Sequence, residues 1–209
     1  MDDTTADSYN EVRPIPAAWS VWSWWVLAGT VGWGIGGPLG VALGHPGYII
    51  ENGFMSISLG GILTAVLQWL VLRRRVAPAR WWVPSSVMAA VLFGAVVFGG
   101  LAVDPGGTWI TDVAWIVGAC LFPSAAGFLQ WRLALRRHVP RVAGWWVLAC
   151  LVGFFAGGVG GWPVSAAFGL NGKEGGLDAV VVWTLFGAVY GAVTGAVLVR
   201  LLRRPRPQG

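Results

Sequence analysis

Charged residues are scarce in this chain. Asp, Glu, Lys and Arg make up 11% of the 209 residues, whereas 56% are hydrophobic. An ordinary soluble domain is about 25% charged. The deficit excludes an ordinary soluble fold and predicts an integral membrane protein.

Cysteine and histidine are scarce as well, with two of each. Cys120 and Cys150 lie inside apolar runs, and His45 has no second metal ligand beside it in the sequence. We therefore expect no disulfide framework and no metal site. The chain also shows no phosphate loop and no nucleophilic triad, so we expect no cofactor.

Long apolar runs dominate what is present. Six of them are long enough for the ~30 Å hydrocarbon core of a bilayer, which takes about 20 helical residues. The predicted spans are Trp22–Leu43, Tyr48–Leu72, Trp81–Val103, Trp109–Leu135, Trp145–Phe168 and Asp178–Val199. The sequence predicts an all-α polytopic membrane protein. Its single six-helix domain covers 19–203, between an acidic tail (1–18) and a basic tail (204–209).

The basic residues indicate how the chain is oriented. The net charge is +5, but the positive side chains sit at the ends of apolar runs rather than on a face in water, which argues against nucleic-acid binding. Thirteen of the 14 basic residues fall on one predicted side, with Lys173 as the exception. Positively charged loops stay cytoplasmic, so we predict a protein of the cell membrane with both termini in the cytoplasm.

The first segment, Met1–Arg13, lacks the basic start of a cleaved signal, so we expect the first span to remain in the protein. The predicted partners are the lipid bilayer and an apolar small molecule.

Internal repeats organise these spans. A Trp-Trp-Val motif opens each odd-numbered span, and a Gln-Trp pair near the end of the second and fourth spans precedes Leu and Arg residues. The third unit lacks the Gln-Trp pair and has Val197 at the corresponding position. We predict three parallel helical hairpins, at about 19–75, 76–138 and 139–203, around a pseudo-threefold axis along the membrane normal.

One carboxylate recurs in each unit, at the predicted external start of the even-numbered span. These residues are Glu51, Asp112 and Asp178. Each suits a helix N-terminus, where it would complement the helix dipole for about 1 kcal/mol. Alternatively the three converge at one mouth, where burial and mutual repulsion would create a proton donor. On that alternative they are the candidate catalytic residues.

Aromatic residues follow close to the carboxylate level. They are Trp33, Phe54, Trp115, Trp162 and Trp183. Ordinary packing explains them, and so does an apolar cavity that binds substrate and stabilises a cation through ring faces. The paired tryptophans at 24–25, 81–82 and 145–146 are predicted to anchor the helices in the headgroup layer. Gln68 and Gln130 are predicted to form hydrogen bonds between helices.

In size, six-helix character and tryptophan content, the chain resembles small bacterial integral-membrane terpene cyclases, which act on prenylated substrates. The resemblance is one of general character and assigns no residue a role. It implies a metal-independent cyclase or isomerase that protonates a prenylated substrate in an aromatic cavity. A non-enzymatic scaffold or accessory subunit is the alternative, and a small-solute transporter is a further one.

Overall fold

The computed structural model describes residues 18–44, 49–73, 77–104, 109–136, 143–167 and 176–203. This described part contains helices and no strand. The six α-helices are α1 (Ala18–Leu43), α2 (Ile49–Leu72), α3 (Trp82–Val103), α4 (Trp109–Gln130), α5 (Ala143–Ala167) and α6 (Gly176–Leu202). A 3-10 helix at Ala77–Trp81 leads into α3, and a π-helix at Trp131–Leu135 continues α4.

All six helices are long and apolar enough to cross a membrane. The shortest have 22 residues and the longest has 27. At 1.5 Å per residue this is roughly 33–40 Å, which exceeds the ~30 Å hydrocarbon core. Lipid offers no hydrogen-bond partner, so a spanning segment must satisfy its own backbone groups as a helix does. The prediction of an all-α protein with six apolar helices is confirmed.

The helices close into a ring. Each packs against the next along the chain, and α6 packs against α1. The short connections make consecutive helices antiparallel, so α2, α4 and α6 begin at one end of the bundle and finish at the other.

Charge is segregated between these two ends. We call them the acidic end and the arginine end. Within the described ranges, the acidic end carries Glu51, Asp104, Asp112 and Asp178, and the arginine end carries Arg73, Arg80, Arg132, Arg136, Arg200 and Arg203. The other residues used to predict the orientation, including Lys173 and the acidic tail, lie outside the described residues.

Glycines allow α1 to approach both of its neighbours closely. A methyl group on Gly36 would lie 2.6 Å from the Cα of Gly60 in α2. A methyl group on Gly29 would lie 2.6 Å from the carbonyl oxygen of Gly187 in α6. Small residues let membrane helices gain van der Waals contact that larger side chains would prevent. At these contacts the glycines therefore act as packing residues.

The π-helix accommodates one extra residue at the end of α4. Leu72 follows Gln68 by four positions, whereas Leu135 follows Gln130 by five. The backbone N–H of Arg136 donates to the carbonyl oxygen of Trp131 at 2.7 Å, five residues earlier. This wider turn buries Leu135 as fully as Leu72.

Candidate functional site

The three candidate catalytic carboxylates all lie in the first turns of helices at the acidic end. Glu51 lies in the first turn of α2, Asp112 in that of α4 and Asp178 in that of α6. Asp112 is exposed, and the other two are half-buried. Each therefore has the position in which a carboxylate complements a helix dipole. Their catalytic role stays a prediction.

Asp104 is the buried carboxylate of this end, at 9% exposure. The hydroxyl of Thr111 donates to the carbonyl oxygen of Asp104 at 3.1 Å and lies 3.5 Å from its carboxylate. These contacts connect the end of α3 to the start of α4. Asp104 is thus part of a helix connection.

Four of the predicted substrate-binding aromatics pack against other rings. Trp33 is 1% exposed and stacks on Trp183, with ring centroids 5.7 Å apart and planes at 8°. Phe54 and Trp115 both contact Phe93, at 5.3 and 5.5 Å. The fifth, Trp162, has its side chain outside the described residues. The four described side chains belong to one hydrophobic cluster in the half of the bundle that leads to the acidic end.

A second cluster, nearer the arginine end, contains three tryptophans in mutual contact. We call Trp25, Trp82 and Trp146 the tryptophan triad. Their ring centroids lie 5.6, 5.7 and 6.3 Å apart, and each residue is at most 1% exposed. The interfacial role predicted for them is therefore wrong. Only the first member of each Trp-Trp pair is exposed at this end, namely Trp24, Trp81 and Trp145.

Each member of the triad donates its indole N–H to a polar side chain on an even-numbered helix. Trp82 donates to Gln68 Oε1 and Trp146 to Gln130 Oε1, both at 3.3 Å. Trp25 donates to Thr194 Oγ1 at 3.0 Å. The interhelical hydrogen bonding predicted for the two glutamines is confirmed. These pairs satisfy buried indole N–H groups that lipid could not satisfy.

Thr194 was not found by sequence reasoning, which aligned Val197 with the two glutamines. Thr194 is 1% exposed and precedes the fully buried Leu198 by four residues, as Gln68 precedes Leu72. A lone threonine in a glycine-rich helix has no distinctive pattern. Its four-residue spacing to Leu198 could have identified it, because Gln68 has the same spacing to Leu72. The sequence comparison instead matched the Leu-Arg-Arg motif, whose leucine, Leu202, lies one helical turn later.

A small cavity lies between the two clusters, near the middle of the bundle. Its walls come from all six helices, and the space open to the centre of a water molecule is about 10 Å³. Aromatic rings of Trp33, Phe122 and Phe154 line it. Its polar lining residues are Thr64, Gln68, Ser86, Gln130 and Tyr190.

The hydrogen bonding of this polar lining is uneven. Gln130 Nε2 donates to Ser86 Oγ at 3.2 Å, so both ends of its amide are bonded. Gln68 Nε2 has no partner, and neither has Thr64 Oγ1 or Trp33 Nε1. All buried side-chain atoms without a partner in the described ranges lie on α1 and α2. The first helix pair therefore differs from the others in its internal hydrogen bonding.

The described residues offer no clear metal site. Among them, no group of three His, Cys, Asp or Glu side chains could hold an ion. Cys120 is exposed, Cys150 is buried, and both are free thiols.

Comparison of the chain with protein-family models, with curated proteins and with solved structures found no match.

Proposed function

We propose that the protein is a non-catalytic membrane scaffold, whose aromatic interior holds its helices together. The observation that carries this proposal is the packing of Trp33, Phe54, Trp115 and Trp183 on neighbouring rings. Ring pairs at these distances contribute about 0.5–1.5 kcal/mol beyond the burial of their surface. A packed aromatic core is what a scaffold requires.

The proposed architecture is three hairpins around a pseudo-threefold axis. The tryptophan triad supports it, because each indole comes from an odd-numbered helix and reaches a different even-numbered helix. Trp82 and Trp146 bond to the preceding hairpin, and Trp25 bonds to the last. The bonds would thus connect the three hairpins in a closed cycle.

The proposed orientation places the arginine end and both termini in the cytoplasm of a cell-membrane protein. The exposed arginines at this end would contact anionic lipid headgroups, while the first tryptophan of each pair anchors in the headgroup layer. Arg203→Cys and Asp112→Cys, each in a Cys120→Ala/Cys150→Ala background, test the orientation in intact cells. A membrane-impermeant maleimide should label only the cysteine at 112. Labelling only at 203 would contradict the orientation.

A second candidate function is acid-initiated cyclisation of a prenylated substrate, in line with the resemblance to integral-membrane terpene cyclases. The observation that favours it is the position of Glu51, Asp112 and Asp178 at one end of the bundle. A protonated carboxyl would donate its proton to an alkene or epoxide of the substrate. Ring closure would transfer the positive charge to a carbon facing aromatic rings, and another carboxylate would remove a proton.

Fluorescence quenching in nanodiscs separates the two functions. Quenching by a brominated phospholipid first identifies the tryptophans that are exposed to lipid. Addition of a brominated prenyl alcohol should quench no further tryptophan if the interior is a packed core. Extra quenching that disappears in Trp33→Phe and Trp183→Phe would contradict the scaffold and indicate a substrate chamber.

A turnover assay then examines the carboxylates directly. Prenylated epoxides are incubated with the protein, and an isomer of unchanged mass is sought by chromatography and mass spectrometry. The scaffold proposal expects unchanged substrate. Product formation that is lost in Glu51→Gln, Asp112→Asn or Asp178→Asn would establish the second candidate, with Ser124→Ala on the exposed face of α4 as the control.

A further inference from the structure

The central cavity has the size and the lining of a site for a single small ligand. Its free space of about 10 Å³ is at the lower limit for one water molecule. A dry internal cavity is typically walled by apolar side chains. Here the wall includes two amides, three hydroxyls and an indole, so polar groups surround the space.

Three lining residues each have an unpartnered polar atom. These atoms are Trp33 Nε1, Thr64 Oγ1 and Gln68 Nε2, and their residues are at most 2% exposed. A buried donor left unsatisfied costs about 1–3 kcal/mol. Two N–H donors and one hydroxyl around a single space indicate a ligand that both accepts and donates hydrogen bonds.

The sequence explains why the need for a ligand arises at Gln68. In the second helix pair, Gln130 Nε2 donates to Ser86, which lies four residues after Trp82. The residue four positions after Trp25 is Gly29, which has no hydroxyl to offer Gln68. A molecule in the cavity can supply the acceptor that the first helix pair lacks.

We infer that this cavity is a binding site for one structural water molecule. Its oxygen accepts from the indole N–H of Trp33 and from the amide of Gln68, and one of its hydrogens is donated to the Thr64 hydroxyl oxygen. This gives three hydrogen bonds, the usual number for a buried water.

Water fits the site better than an anion, although both accept hydrogen bonds. No residue of the cavity wall carries a charge. An anion would therefore lie in the middle of a membrane protein without a compensating cation, at a large desolvation cost. Water obtains the same donors without that cost. The inference does not depend on whether the protein is a scaffold or an enzyme.

Nuclear magnetic resonance on protein with 15N-labelled tryptophan, in nanodiscs, tests the site. We expect a magnetisation-transfer cross peak between water and the indole proton of Trp33. The indoles of Trp25 and Trp146 bond directly to side chains and should show none. Trp33→Phe assigns the resonance by removing it.

Two further measurements make the result decisive. Gln68→Met replaces the amide with an apolar side chain of similar size, and the Trp33 cross peak should be lost while the Trp25 and Trp146 resonances remain. Titration with chloride, bromide and fluoride should leave the Trp33 indole shift unchanged. A halide-dependent shift, or no water cross peak at Trp33 in protein whose triad resonances are intact, would overturn the inference.

Discussion

Gln68 of α2 and Gln130 of α4 both accept a hydrogen bond from a buried tryptophan of the next odd-numbered helix, yet their amide nitrogens differ. Gln130 Nε2 donates to Ser86, whereas Gln68 Nε2 has no side-chain partner. The difference coincides with one residue. Ser86 lies four positions after Trp82, whereas the residue four positions after Trp25 is Gly29 in α1.

Gly29 has a different role, which explains why this position holds a glycine rather than a serine. Its missing side chain lets α1 approach α6 at Gly187. At this position the first helix pair thus has close backbone contact with α6 but no hydroxyl, while the second pair has the Ser86 hydroxyl. Close packing and hydrogen bonding compete for the same position in a membrane bundle.

The largest expected effect comes from deleting the donors to the two glutamines. Trp82→Ala and Trp146→Ala should each lower the free energy of unfolding by about 3–5 kcal/mol, because each leaves a large cavity in the triad. Each variant also leaves one glutamine Oε1 without its indole donor, which adds about 1 kcal/mol to either loss. Unfolding in mixed micelles measures both. The exposed Trp81→Ala is the control, and an equal loss in all three variants would contradict the buried triad.

A smaller loss is expected where α1 and α2 approach each other. Gly36→Ala should cost about 1–3 kcal/mol, because its methyl group would overlap the backbone of Gly60. Gly158→Ala on α5 is the matched control, since nothing lies within 4 Å of the added methyl group. It should be neutral or stabilising, because alanine favours a helix more than glycine does. Thermal midpoints of the two variants check this. Equal midpoints would show that the glycine contact does not limit packing.

Substitutions of the two glutamines should differ less in their effect on the free energy of unfolding. Gln130→Leu leaves both the Trp146 indole and Ser86 without this partner, for an expected loss of about 1–3 kcal/mol. Gln68→Leu leaves only the Trp82 indole without its side-chain partner. Its loss should be smaller by about 1 kcal/mol when both variants are unfolded in the same micelles. A greater loss for Gln68→Leu would contradict the difference in bonding.

Much of the fold could be predicted from composition. The six apolar runs located the six α-helices of the described residues, because lipid requires long apolar helices. The observed ends differ from the predicted ones by a few residues: α1 begins at Ala18 rather than Trp22, and α6 continues to Leu202 rather than Val199.

The burial of particular residues was harder to predict. Adjacent tryptophans such as Trp24 and Trp25 point about 100° apart on a helix. In a soluble protein the polar face would show which one is buried. Lipid is as apolar as the protein interior, so the sequence pattern did not distinguish them. The acceptor Thr194 and the pairing of Gln130 with Ser86 depend on contacts between distant helices, which one sequence does not reveal.

The tryptophan triad connects the bundle through hydrogen bonds, including one between its first and last helices. Trp25 and Thr194 form that closing bond across 169 residues. A double-mutant cycle with Trp25→Phe and Thr194→Val measures it directly, with Trp25→Phe and Ser124→Ala as a control cycle. We predict a coupling free energy of about 0.5–1.5 kcal/mol for the first cycle and additivity for the control. Additive losses for Trp25 and Thr194, within about 0.3 kcal/mol, would show that this bond does not connect the two helices.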